Sequence, residues 1–89
     1  MWNMNDTSAE PPQFSVTDRL QLTDLLVTRQ YRRTRRAARI SAGAAAREIG
    51  VSRQSYNRWE RGTGNPDDAH AAALLAMYWR IAGNGQAGQ

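Results

Sequence analysis

The sequence contains no cysteine and no lysine, and a single histidine, His70. Without cysteine the chain has no disulfide and no thiolate ligand for a metal ion. His70 is not sufficient for a metal centre, because no second candidate ligand lies at a metal-binding spacing. The sequence therefore predicts a protein without a metal and without a cofactor.

Long apolar runs and catalytic patterns are also missing. No segment has the roughly 20 apolar residues that a membrane-spanning helix needs, and the start, MWNMNDTSAEPPQ, does not resemble a signal peptide. No acid and base stand at a working spacing, and Ser41, Ser52 and Ser55 are explained as helix caps or surface hydroxyls. We therefore expect a cytoplasmic protein that is not an enzyme, with no membrane segment and no small-molecule ligand.

The charge that is present is strongly uneven. All basic residues are arginines, and ten of the 12 fall between Arg29 and Arg61, where only two glutamates oppose them. That segment has a local net charge of +8, whereas the whole chain has +4. A concentrated positive segment suits a polyanionic partner, although a solvated charged surface is the simpler alternative.

The sequence contains helix signals and no strand signals, so it predicts an all-α fold. We expect one compact domain of four or five helices. The 89 residues suffice for a single core. A first helix is expected from the N-cap Thr17 to about Ala38, and a last helix from the N-cap Asp67 to about Ala82. Polar or glycine-rich ends predict a flexible arm over 1–15, a folded domain over 16–82 and a flexible tail over 83–89.

The segment from about 53 to 61, RQSYNRWER, predicts a helix with two chemically different sides. At 100° per residue its long polar side chains share one side, whereas Tyr56 and Trp59 lie on the other. Arginine can donate two hydrogen bonds to guanine, and glutamine or asparagine can pair with adenine. An ordinary amphipathic helix has the same two-sided pattern, so the preceding residues must decide between the two interpretations.

Those preceding residues predict a short helix over about 42–49 that allows close packing. Ala44, Ala45 and Ala46 keep it thin, and the linker Gly50-Val51-Ser52 is too short for anything but a sharp turn. A helix, a tight glycine-containing turn and a second helix with a polar face form the helix-turn-helix pattern.

The stretch SAGAAAREIGVSRQSYNRWERGTGNP resembles the Cro and phage-repressor (xenobiotic response element) helix-turn-helix family over about residues 27–80. The resemblance implies that the helix over 53–61 enters the major groove of DNA. The base-reading residues would be Arg53, Gln54, Asn57 and Arg58. The resemblance also implies a structural ion pair that joins Arg35 to Glu60.

Three positions depart from the family pattern. The family has a phosphate-binding glutamine where this chain has Ala42, the adjacent Gly43 weakens the same helical turn, and Arg39 stands in a turn that usually contains glycine. A fifth helix is common in the family and is not expected here. Our hypothesis is that nearby arginines replace the missing phosphate contacts, namely Arg32, Arg33, Arg36, Arg39 and Arg47. The resemblance also implies phosphate contacts by Arg61, Thr63 and Asn65.

Three further sets of residues complete the prediction. The expected core contains Ala46, Ile49, Val51, Tyr56, Trp59, Leu74 and Tyr78. The apolar patch Leu22, Leu25 and Leu26 either forms the interface of a homodimer or packs against the last helix. Met77 and Trp79 form a second candidate surface for the dimer.

Three functions remain open on the sequence alone. The leading one is a sequence-specific regulator that binds double-stranded DNA and acts as a small repressor by occupying an operator. The second is an antitoxin that also binds a partner toxin. The third is an adaptor that binds RNA or protein through its arginine-rich segment, with the helix-turn-helix as a scaffold.

Overall fold

The computed structural model describes residues 14–87, of which 84–87 are described by their backbone alone. In this part of the chain every regular element is helical, which confirms the predicted all-α class. The five helices are α1 (Val16–Val27), α2 (Gln30–Ala37), α3 (Ala42–Ile49), α4 (Arg53–Glu60) and α5 (Asp68–Ala87). Most of the expected flexible arm, residues 1–13, lies outside the part of the chain that the structure describes.

Helix α1 begins earlier than the sequence suggested, because Ser15 and not Thr17 is its N-cap. The Ser15 hydroxyl accepts a hydrogen bond from the Asp18 N–H at 3.0 Å, and the Asp18 carboxylate accepts one from the Ser15 N–H at 3.1 Å. This reciprocal pair is a capping box. Phe14 is half-buried, and its ring centroid lies 5.2 Å from the Arg19 guanidinium carbon. Phe14 and Ser15 therefore belong to the folded domain and not to the arm.

The single helix expected from Thr17 to Ala38 is wrong, because the chain breaks it into α1 and α2. Arg29 takes a left-handed conformation with φ of 69° at the break. Such a conformation costs roughly 1–2 kcal/mol for a residue other than glycine. The break lets Leu26 and Tyr31 both enter the core, whereas Val27 beside it is 60% exposed. Tertiary packing outweighs local helix propensity here.

The core lies where α1, α2 and α5 meet the helix pair α3 and α4. Its largest fully buried side chains are Tyr31, Tyr56, Leu22 and Leu74. Of the predicted core, Ala46, Tyr56, Leu74 and Tyr78 are buried, whereas Ile49, Val51 and Trp59 are half-buried against it.

The patch formed by Leu22, Leu25 and Leu26 is not available as a dimer surface. Leu22 and Leu26 are 1% and 6% exposed within the single chain, and Leu25 packs partly buried against the same core. Of its two expected roles, the structure therefore supports packing inside the domain. The two residues of the second candidate surface differ in burial, since Met77 is buried and Trp79 is 50% exposed.

Helix α5 starts as predicted and ends later than predicted. The Asp67 carboxylate accepts the backbone N–H of His70 at 2.9 Å, as expected of an N-cap. The helix then continues through Gly83 to Ala87, so the expected flexible tail is helical over 83–87. Adding a residue to an existing helix is favourable enough to tolerate isolated glycines, and no proline stops it. None of the helices within 14–87 is both long and apolar enough to cross a membrane.

Candidate nucleic-acid interface

The two helices of the motif, α3 and α4, are joined by a tight turn. Gly50 has a φ of 90°, a left-handed conformation that suits glycine, and its N–H donates to the Ala46 carbonyl at 2.8 Å. The Val51 N–H donates to the same carbonyl at 3.0 Å. Ser52 then caps α4 by accepting the Ser55 N–H at 3.1 Å. Because Ala45 and Ala46 are buried and small, α4 packs closely across α3.

An ion pair fixes the far end of α4 to α2. The Arg35 Nε and Nη2 atoms donate to the two Glu60 carboxylate oxygens at 2.8 Å each. The Arg35 Nη1 atom donates to the Ile40 carbonyl at 2.6 Å, and the Tyr56 hydroxyl donates to Glu60 Oε2 at 2.7 Å. This is the pair that the resemblance implied, and Tyr56 adds a bond to it that the sequence did not suggest.

The charge state of this network follows from its contacts. Burial alone would raise the pKa of Glu60, but the hydrogen bonds from Arg35 and Tyr56 outweigh burial and lower that pKa below its ordinary value. Burial, followed by the hydrogen bond to Glu60, raises the pKa of Tyr56. Glu60 is therefore an anion and Tyr56 a neutral donor at neutral pH. The last turn of α4 is held by three hydrogen bonds donated to one carboxylate.

A groove opens above this ion pair, between α2, the start of α3 and α4. It encloses about 340 Å³. Its lining residues, besides Arg35 and Glu60, are Arg32, Arg36, Ala42, Arg53, Asn57 and Arg61. We call this the arginine groove. Its four outer arginines are exposed, and they form no salt bridge with any residue in the described part of the chain.

The four predicted base-reading residues are divided between two neighbouring faces of α4. Arg53 and Asn57 line the arginine groove, one helical turn apart. Gln54 and Arg58 are exposed and do not line it. Tyr56 is fully buried on the opposite side, so α4 is anchored by its aromatic face and exposes its polar face.

A model of the helix-turn-helix family matches residues 32–78, which is more than half of the chain. The protein belongs to the Cro/C1-type helix-turn-helix family. The match supports a DNA-binding helix-turn-helix regulator. The matched region runs from α2 into α5, and α1 precedes it. No curated protein and no solved structure matches the chain.

The remaining candidate phosphate contacts of this helix-turn-helix protein lie around the motif. Arg33, Arg39 and Arg47 are exposed and lie outside the arginine groove. Arg39 has a φ of 63°, which explains why glycine is usual in this turn. Thr63, in the loop after α4, bonds through its hydroxyl to the Arg58 carbonyl at 3.0 Å.

The sequence analysis missed Arg19 of α1, which holds the loop between α4 and α5. Its guanidinium donates to the Pro66 carbonyl at 2.9 Å, to Asp68 Oδ1 at 2.6 Å and to Asn65 Oδ1 at 3.4 Å. Asn65 therefore accepts a hydrogen bond through its side-chain oxygen. No local pattern connects residues so far apart in the chain, so only the folded structure reveals this contact.

Proposed function

We propose that this protein is a repressor that recognises a specific sequence of double-stranded DNA and acts by occupying an operator. The observation that carries the proposal is the anchoring of α4. Tyr56 and Glu60 fix one side of this helix inside the domain, while Gln54 and Arg58 project from the other. A rigid helix that exposes amide and guanidinium groups has the chemistry needed to read base edges in a major groove.

Base reading is assigned to the exposed face of α4. Gln54 lies in the first turn, where it can donate to and accept from an adenine. Arg58, one turn later, can donate two parallel hydrogen bonds to a guanine. Arg53 and Asn57 border the same face and extend the reading surface towards the arginine groove.

Phosphate binding is assigned to the groups that surround this face. Arg32, Arg36 and Arg61 line the arginine groove next to Ala42, where the family has its phosphate-binding glutamine. These arginines carry full charges in place of that neutral amide. Further contacts are assigned to Arg33, Arg39, Arg47, Thr63 and Asn65. Such contacts position the protein on DNA and make binding strongly dependent on salt.

A homodimer remains part of the proposal, because two copies would read a palindromic operator through half-sites one helical turn apart. Leu22 and Leu26 are excluded as its interface by their burial. Sedimentation of the protein at tens of micromolar, alone and with operator DNA, distinguishes a stable dimer from a monomer that pairs on DNA.

Selection of bound duplexes from a random DNA pool tests the proposed function. We would select at about 150 mM salt, where purely electrostatic binding is weakened. Enrichment of one motif is expected, and Gln54→Ala should relax that motif at particular positions. A matched surface change, Ala76→Ser on the exposed side of α5, should leave the motif as it is. Failure to enrich any duplex would contradict base reading and favour an RNA or protein partner.

A further inference from the structure

The arginine groove concentrates positive charge that no salt bridge within residues 14–83 neutralises, apart from that of Arg35. Arg35 is already paired with Glu60 in the floor of the groove. The four outer arginines make no hydrogen bond or salt bridge through their side chains with other described residues. Ala42 places the start of α3 at the same groove, which adds the positive end of a helix dipole. Like charges gathered in a concave site repel each other and favour a bound anion.

The groove carries more positive charge than one DNA phosphate can neutralise. A phosphodiester brings a single negative charge, whereas a chain of linked phosphates brings several charges within a few bond lengths. The volume of about 340 Å³ lies at the small end of the range for ligand sites, which suits a compact anion. Guanidinium groups also match phosphate oxygens in pairs of parallel hydrogen bonds.

We infer that the arginine groove is a binding site for a free polyphosphate anion, which competes with DNA. The ligand class is inorganic triphosphate or the triphosphate group of a nucleotide. Arg53 and Asn57 belong both to this groove and to the recognition helix, so an anion seated between them and Arg32 or Arg36 blocks the approach of the DNA backbone. The competition with DNA rests on the proposed function, whereas the anion site does not.

The lining of the groove also indicates which ligand groups it does not recognise. Among the described residues, no aromatic side chain lines it, and Ala42 is the one apolar lining residue. A nucleobase would therefore find no stacking partner. Inorganic triphosphate and a nucleoside triphosphate should bind with affinities within about threefold of each other, because charge and guanidinium pairing account for binding.

Direct titration of the full-length protein with inorganic triphosphate, without DNA and without magnesium, tests the site. Arg36→Gln is compared with Arg33→Gln, which removes the same charge from the same helix outside the groove. At constant ionic strength, Arg36→Gln should weaken binding about tenfold, because it removes one charge-assisted hydrogen-bonding group. Arg33→Gln should weaken binding less than about threefold, since it acts only through the general field. Equal weakening in both variants would show general charge attraction and overturn the site.

Displacement of a labelled operator duplex tests the competition. Triphosphate should displace DNA from the wild-type protein, with an inhibition constant equal to the dissociation constant of the direct titration. Adenosine triphosphate should give an inhibition constant within about threefold of it. Potassium chloride added to the same ionic strength corrects for screening. Triphosphate binding without DNA displacement would overturn the competition and leave the site standing. If no duplex is recognised at all, the proposed function fails, and the DNA-free titration still decides whether the site exists.

Discussion

The guanidinium of Arg35 and the carboxylate of Glu60 face each other through two hydrogen bonds of 2.8 Å, with side chains 8% and 6% exposed. Arg35 belongs to α2 and Glu60 is the last residue of α4. The pair therefore connects the helix that precedes the motif with the recognition helix. Its two hydrogen bonds fix the last turn of α4 against α2.

Removing one partner of this pair should destabilise the fold strongly. Arg35→Ala leaves the Glu60 charge buried without its main partner, and we expect the free energy of unfolding to fall by about 3–5 kcal/mol. Urea denaturation measures this decrease. Arg33→Ala, on the same helix and exposed, should change stability by less than about 0.5 kcal/mol. Replacing both partners, as Arg35→Met with Glu60→Leu, should cost less than Arg35→Ala alone.

The stability of the protein should fall in acid because of Glu60. Its pKa is lowered in the folded state, so the contribution of Glu60 is complete above the unfolded pKa of about 4.3 and is lost as pH falls through the folded pKa. Urea denaturation between pH 7 and pH 3 should show this decrease in the wild type. Glu60→Gln should be less stable at pH 7, and its difference from the wild type should shrink towards pH 3. A constant difference across this range would contradict the assignment.

Two buried tyrosines provide a matched comparison of hydrogen bonds. The Tyr56 hydroxyl donates to the charged Glu60, whereas the Tyr31 hydroxyl donates to the neutral backbone carbonyl of Leu74. Tyr56→Phe should cost about 1.5–3 kcal/mol and Tyr31→Phe about 1 kcal/mol, since bonds to charged groups are stronger. Chemical denaturation of both variants checks the order. Equal destabilisation would mean that the Tyr56 hydroxyl adds nothing to the ion pair.

Gly64 is required by the packing of Trp59. A methyl group at Gly64 would lie 2.4 Å from Trp59 Cδ1, whereas one at Gly83 would meet nothing within 4 Å. Gly64→Ala should therefore destabilise the domain by about 1–3 kcal/mol. Gly83→Ala, inside α5, should stabilise it by up to about 1 kcal/mol. Thermal denaturation of the two alanine variants should move the midpoint in opposite directions, and an unchanged midpoint for Gly64→Ala would disprove the close approach.

Loss of a phosphate contact and loss of a base contact should affect the salt dependence of DNA binding differently. Replacing Arg36 and Arg39 with alanine should lower the slope of log K against log salt concentration by about 0.9 for each phosphate that is no longer neutralised. Gln54→Ala removes no charge, so it should alter the preferred sequence and leave that slope unchanged. Fluorescence anisotropy with operator DNA at several salt concentrations measures both. An unchanged slope in the double arginine variant would mean that these arginines do not replace the family's glutamine.

Local signals in the sequence predicted the helix-turn-helix well. Ser41 and Ser52 are N-caps as expected, and Gly50 ends α3 in a left-handed conformation. These features depend on interactions between residues at most four positions apart, so they can be recognised without the fold. The same locality explains why the spacing of polar and aromatic residues in α4 correctly predicted which side is buried.

Non-local interactions decided what the sequence left open or predicted wrongly. The break at Arg29 is unfavourable locally, and it forms because burial of Leu26 and Tyr31 in one core outweighs its cost. Leu22 and Leu26 are buried in the same core, so they are not available for a dimer interface. Arg19 reaches a loop that lies far along the chain, and no sequence pattern indicates such a contact.

The sequence by itself determined the chemistry of this protein: a basic segment without lysine or cysteine, and a helix whose long polar side chains lie opposite two aromatic anchors. Composition and helical periodicity suffice for that, because both are local properties. Only the tertiary structure gathered Arg32, Arg36, Arg53 and Arg61 around one groove and placed the Arg35–Glu60 pair beneath them. That arrangement depends on the shared core, in which α2 packs against α1 and α5 while α4 packs against α3 and α1.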